Sequence, residues 1–113
     1  MKATASQKAR TLIDLGPVSR IPMGEGRTFN VDDTTVAVFH TRSNEVVATQ
    51  AQCPHRDGPL ADGIIGEGKL ICPLHAYKYD LRTGQPIGHD CGPLKTYSVS
   101  VSDEGNILLT IED

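Results

Sequence analysis

Two of the three cysteines and two of the four histidines of this 113-residue chain fall in one stretch, Cys53-Pro54-His55-Arg56-Asp57-Gly58-Pro59-Leu60 followed by Cys72-Pro73-Leu74-His75. The pattern is Cys-x-His, sixteen intervening residues, then Cys-x-x-His. Thiolates and neutral imidazoles together suit zinc, copper, or iron bound to sulfide. Small zinc sites usually pair ligands of one kind on each knuckle, Cys-x-x-Cys on one and His-x-x-x-His on the other. Here each loop carries one Cys and one His, so each can offer a thiolate to one metal and an imidazole to a second. That suits a two-iron cluster in which two histidines replace two cysteines on one iron. A single zinc ion held by the same four residues is the competing reading.

Loops of this kind need a rigid base, and the flanking sequence reads as strands separated by turns. Thr11 to Leu15 is a short apolar run that Gly16-Pro17 is expected to stop. A turn-rich approach leads into Arg27-Thr28-Phe29-Asn30-Val31, and Asp32-Asp33 marks a reversal. Thr34 to Thr41 follows, with Val36 and Val38 on one face and Ala37 and Phe39 on the other, which predicts a strand covered on both sides. Arg42-Ser43-Asn44 turns into a strand over Glu45 to Gln50. Beyond the ligand loops, Leu94 to Val101 alternates with Tyr97, Val99 and Val101 expected inward. Asp103 to Asn106 is a hairpin turn, returning through Ile107, Leu109 and Ile111 on one face.

The chain is therefore expected to be all-β and a single domain over 1–113. Its antiparallel base spans 11–50 and 93–112, and a subdomain over about 51–92 is inserted to carry the metal. Within the insertion Lys69 to Cys72 and Tyr77 to Leu81 read as two short strands, and Thr83-Gly84 as a turn. Glycine and proline are dense there, which predicts little apolar burial and a large share of folding free energy from the metal. Gly58, Gly63 and Gly84 are read as serving backbone conformation.

Composition narrows the function. A net charge of −3 without any basic run argues against nucleic acid and anionic membranes as partners. The first ten residues are polar, with neither a signal-peptide core nor a membrane span, so a cytoplasmic protein is expected. Cys91 is left as an unpaired thiol near the metal, and His40 and His89 as surface or structurally satisfied histidines. No triad, carboxylate pair or phosphate loop marks a catalytic site, so no residue is assigned a catalytic role.

The ligand pattern, with Pro73 and the following Tyr79-Asp80, resembles the Rieske proteins, and the resemblance extends from about Thr11 to Ile111. It implies a Rieske-type sandwich or barrel base and one [2Fe-2S] cluster. Cys53 and Cys72 would hold one iron, and His55 and His75 the outer one. It also implies one-electron transfer rather than an independent substrate site. Unlike the high-potential members, this chain has Gly58 and Leu74 where those carry a disulfide, and Tyr77 where they carry a Ser. Tyr79 stands at the place of a family Tyr that can donate a hydrogen bond. These departures imply a potential toward the low end of about −150 to +300 mV. The first loop, Cys53 to Gly63, and the tail Asp90 to Val99 are most similar to the small subunit of assimilatory NAD(P)H nitrite reductase. That implies a large siroheme and flavin subunit as redox partner. The next resemblance is to the Rieske ferredoxins of ring-hydroxylating dioxygenases, which implies an oxygenase or flavin reductase instead.

Overall fold

The structure is a computed structural model and describes residues 10–54, 58–74 and 76–112. Ten strands follow in chain order: β1 (Arg10–Pro17), β2 (Glu25–Val31), β3 (Thr34–His40), β4 (Val46–Gln50), β5 (Ile64–Gly66), β6 (Lys69–Ile71), β7 (Lys78–Asp80), β8 (Pro86–Ile87), β9 (Thr96–Val101) and β10 (Asn106–Glu112). Two single 3-10 turns, Val18–Arg20 and Leu60–Asp62, are the only helical elements among the described residues. The architecture is thus all-β, as expected.

Six strands form one antiparallel sheet in the order β1-β10-β9-β4-β3-β2, and β5-β6-β7-β8 form a separate four-stranded meander. The meander leaves the large sheet after β4 and returns at β9, and these two strands are neighbours, pairing Ala48 with Tyr97 and Thr49 with Thr96. Gln50 closes the junction. Its N–H donates to the Lys95 carbonyl at 2.8 Å, its Oε1 accepts the Lys95 N–H at 2.7 Å, and its Nε2 donates to the Gln52 carbonyl at 2.6 Å.

β3 is the wall between two apolar cores. Val36 to His40 are all buried, because alternate side chains of one strand enter opposite cores. Val36 and Val38 pack with Ile21, Val31, Ala48, Ile107 and Leu109. Ala37 and Phe39 pack with Leu60, Ile65, Leu70, Tyr79, Leu81 and Leu94, in the same cluster as Cys53 and Cys72. Each large apolar side chain fully removed from water contributes roughly 1.5–3 kcal/mol. The inserted segment therefore buries a substantial core against β3, which corrects the expectation of little apolar burial. Its apolar residues are sparse in sequence, but the meander turns Ile65, Leu70 and Tyr79 inward together, while Ile64 and Ile87 stay exposed.

Two smaller expectations are also adjusted. β1 ends at Pro17, two residues past the expected Leu15, with a shift of register after Asp14; Asp14 Oδ1 accepts the Gly16 N–H at 2.8 Å within this irregularity. Val101, expected inward, is 42 % exposed, although its cross-strand partner Ile107 is fully buried. β5 and β8 are too short to have been read from pattern alone. His40 is a satisfied structural residue, with Nδ1 2.7 Å from the Ile21 carbonyl and Nε2 2.7 Å from Asn44 Oδ1.

Candidate metal centre

Both cysteines of the motif begin a short loop closed by their own backbone. The Cys53 N–H donates to the Gly58 carbonyl, and the Cys72 N–H to the Tyr77 carbonyl, each at 2.8 Å. The first loop is set on its stem by the Leu60 N–H on the Ala51 carbonyl at 2.9 Å and by a bridge between Gln52 and Pro59. The second loop is the connection from β6 to β7, whose register pairs Ile71 with Lys78. One loop therefore comes from the end of the large sheet and the other from the meander. The fold sets both thiols in the core between the two sheets, where Cys53 is fully buried and Cys72 nearly so.

Each sulfur has a donor within reach. The Tyr79 hydroxyl lies 3.4 Å from Cys53 Sγ, and the Leu74 N–H donates to Cys72 Sγ at 3.4 Å. Burial pushes the Cys72 thiol up from its ordinary value; the Leu74 N–H pulls it down, and neighbouring Cys53 raises it further. Tyr79 is also pushed upward, first by its burial and then by Cys53, so the phenol keeps its proton and remains a donor. None of the three cysteines is in a disulfide.

These features fit an iron-sulfur cluster. Neighbouring, desolvated thiols are costly as thiolates, and a bound cation offsets that cost. A side chain at Gly58 would put its Cβ 3.0 Å from Cys72 Sγ and 3.1 Å from Leu74 Cγ. A side chain there would crowd the sulfur and Leu74, so Gly58 also leaves space for the second loop, beyond the purely conformational role expected of it. Leu60 is fully buried beneath the loops, whereas Leu74 is 40 % exposed. His55 and His75 lie outside the described residues, as do Arg56 and Asp57. Among the described residues no group of three or more His, Cys, Asp or Glu comes together.

The structure also identifies a residue that pattern reading left aside. The ring of His89 contacts the rings of both Tyr77 and Tyr79, with centroids 4.5 Å and 4.9 Å away. No sequence signal marks it, because its neighbours are set by the pairing of β7 with β8 rather than by spacing. Cys91 is half-buried beside it and donates its N–H to His89 Nδ1. A cavity of about 290 Å³ lies elsewhere, lined by residues such as Thr41, Glu45, Ile65 and Arg82, and shares no residue with the thiol loops. No helix among the described residues is long and apolar enough to cross a membrane.

A family profile described as "Rieske [2Fe-2S] domain" matches residues 11–98. The biphenyl dioxygenase ferredoxin subunit of Pseudomonas sp. (strain KKS102) is 35 % identical over 94 residues, covering 81 % of this chain and 84 % of that protein. The ferredoxin of carbazole 1,9a-dioxygenase from Nocardioides aromaticivorans IC177 superposes with a TM-score of 0.78 at 29 % identity, over 88 % of this chain and 96 % of that one. A candidate NADH-dependent nitrite reductase small subunit from Mycobacterium tuberculosis superposes with a TM-score of 0.84 at 19 % identity, over 91 % of this chain and 96 % of that one; at that identity the likeness is one of fold.

Proposed function

Because the chain belongs to the Rieske [2Fe-2S] domain family, we propose that it carries single electrons on a cluster held by Cys53, Cys72, His55 and His75. One Rieske-type [2Fe-2S] cluster is the cofactor of this family, and the domain is an electron-transfer domain. The observation that carries the ligand assignment is the convergence of two backbone-closed loops on two buried thiols, Cys53 and Cys72. His55 and His75 follow from their places in those loops, two and three residues beyond the cysteines.

When bound, the cluster supplies a reversible one-electron couple, at a higher potential than an all-cysteine cluster because neutral imidazoles replace two thiolates. The protein's own residues set the conditions around it. With Cys53 as a thiolate, only the Tyr79 phenol has a proton to donate across their 3.4 Å contact, and that bond favours the more negative, reduced state. The Leu74 N–H does the same for Cys72. Leu60, Leu70 and Leu81 exclude water from beneath the thiols, which strengthens both hydrogen bonds.

The partner we propose is the large subunit of an NAD(P)H-dependent nitrite reductase in the cytoplasm, with this chain as its electron-transferring small subunit. The first loop from Cys53 to Gly63 and the tail from Asp90 to Val99 support it through their resemblance to such subunits. A second reading, a ferredoxin serving an oxygenase, is supported by identity to the biphenyl dioxygenase ferredoxin subunit across most of both chains. Affinity capture with the tagged chain from its native host grown on nitrate separates them. Recovery of a siroheme-containing protein whose NAD(P)H-dependent nitrite reduction falls when this chain is removed is the expected result. Recovery of an oxygenase or flavin reductase instead replaces the first reading with the second. Metal analysis tests the centre itself, with two irons and two labile sulfides expected per chain; one zinc per colourless chain would overturn it.

A further inference from the structure

We infer that His89 is a positioning residue for Tyr79, fixing the aim of the Tyr79 hydroxyl on the Cys53 sulfur and thereby helping to set the potential of the centre. The inference rests on Cys53 being a cluster ligand.

His89 is held at both ring nitrogens by backbone. Its Nε2 lies 2.9 Å from the Lys78 carbonyl, and its Nδ1 lies 3.2 Å from the Cys91 N–H. A carbonyl only accepts and an amide N–H only donates, so Nε2 carries the hydrogen and Nδ1 is bare. One tautomer and one ring orientation satisfy both partners. These partners belong to different segments, β7 and the stretch after β8, so the ring is pinned between them.

The pinned ring meets both aromatic residues that flank Lys78. Tyr79 lies on β7 and Tyr77 immediately precedes that strand, and both pack on the same apolar cluster. The His89 ring is tilted 48° to Tyr77 at 4.5 Å and stands 83° to Tyr79, edge to face, at 4.9 Å. Such geometry lies within the favourable range for aromatic pairs. Tyr79 is fully buried, and its hydroxyl reaches Cys53 Sγ at 3.4 Å. Where the hydroxyl points is decided by the two torsions of the side chain, which its packing sets, the His89 ring on one side and the apolar cluster on the others. Removing His89 opens space beside Tyr79 and leaves the Lys78 carbonyl and Cys91 N–H without their ring partner. The phenol then has room to swing, and the contact with sulfur weakens.

The test is a double-mutant cycle read by redox titration of the full-length, cluster-loaded protein, comparing the unaltered chain, His89→Ala, Tyr79→Phe and the two combined. His89→Ala is expected to lower the midpoint in the same direction as Tyr79→Phe. In the Tyr79→Phe background it should lower it no further, because the hydroxyl it positions is already gone. His89→Gln, which can donate to the carbonyl and accept from the N–H, should stay closer to the unaltered chain. An unchanged midpoint in His89→Ala, or an equal shift in both backgrounds, overturns the inference. If the alanine variant does not retain two irons, His89→Ser takes its place in the cycle with the same expectations, since it too leaves the space of the ring open. A readout independent of the cycle is the nitrogen NMR of the His89 ring. Hydrogen on Nε2 alone is expected, and the opposite tautomer overturns the inference. An unaltered protein that assembles no iron-sulfur cluster would instead overturn the proposed function, before the cycle begins.

Discussion

The loop beginning at Cys53 and the loop beginning at Cys72 are closed by the same backbone bond, from the cysteine N–H to the carbonyl five residues on, at Gly58 and Tyr77 respectively. Their sulfurs are nevertheless held by different means. Cys72 takes its hydrogen bond from within its own loop, from the Leu74 N–H. Cys53 takes its bond from the Tyr79 side chain, which belongs to the meander. The local bond comes with the loop, whereas the distant one requires the meander to be packed against the end of the large sheet. Gly58 of the first loop in turn makes room for the sulfur of the second. Neither loop is therefore a complete half-site, and tuning of the centre is unequally shared between them.

The sharpest way to break the comparison is to remove either thiol. Cys53→Ala and Cys72→Ala are each expected to abolish assembly, read as loss of colour and of both irons by metal analysis. Retention of two irons by either variant would show that its loop is not a ligand loop. Gly58→Ala comes next. Its Cβ would crowd both Cys72 Sγ and Leu74, and a cost of about 1–3 kcal/mol is expected from overpacking, seen as a lower unfolding midpoint and reduced iron retention.

Changing ligand type should act on potential rather than on assembly. In an intact cluster, His75→Cys adds negative charge and is expected to lower the midpoint by on the order of 100 mV; an unchanged or higher midpoint would contradict the ligand assignment. Tyr79→Phe removes the distant hydrogen bond alone. A loss of about 1–2 kcal/mol corresponds to a fall of roughly 40–90 mV for one electron. The local bond at Leu74 comes from backbone, and ordinary side-chain substitutions there should leave the midpoint near its original value.

The smallest effect belongs to Asp80, at the far end of β7. Its Oδ1 accepts the N–H groups of Thr83 and Arg82, each at 3.0 Å, and these bonds, that of Thr83 first, hold its carboxyl below its ordinary value. A lowered value means that the stabilisation is fully present above the ordinary carboxyl range and is lost as pH falls through the folded-state value. Asp80→Asn should cost about 1 kcal/mol at neutral pH and flatten the acid limb of the stability profile. An unchanged acid limb would place the acid sensitivity elsewhere.

Much of the fold was legible because β3 carries its instructions in adjacent residues. Val36 and Val38 against Ala37 and Phe39 announce a strand covered on both faces, and the structure places the two pairs in separate cores. The Asp32-Asp33 and Asp103–Asn106 reversals were equally readable from turn chemistry. β5 and β8, of three and two residues, were not, since so short a run has no period. Gly84 shows the same limit at a single position. It was read as a turn residue, and its φ of +79° agrees; but a Cβ there would also lie 2.3 Å from the Leu94 carbonyl, which receives no signal from neighbouring sequence.

The ligand types and their spacing belong to the sequence alone. Cys-x-His and Cys-x-x-His point to thiolate and imidazole chemistry because coordination preference is a property of the side chains themselves. What surrounds each sulfur was decided by tertiary structure. Tyr79 is 26 residues from Cys53, and His89 reaches Tyr79 through the β7–β8 turn. Contacts of this kind depend on which strands pair and in what register, and nothing in the local chain around Cys53 encodes that choice.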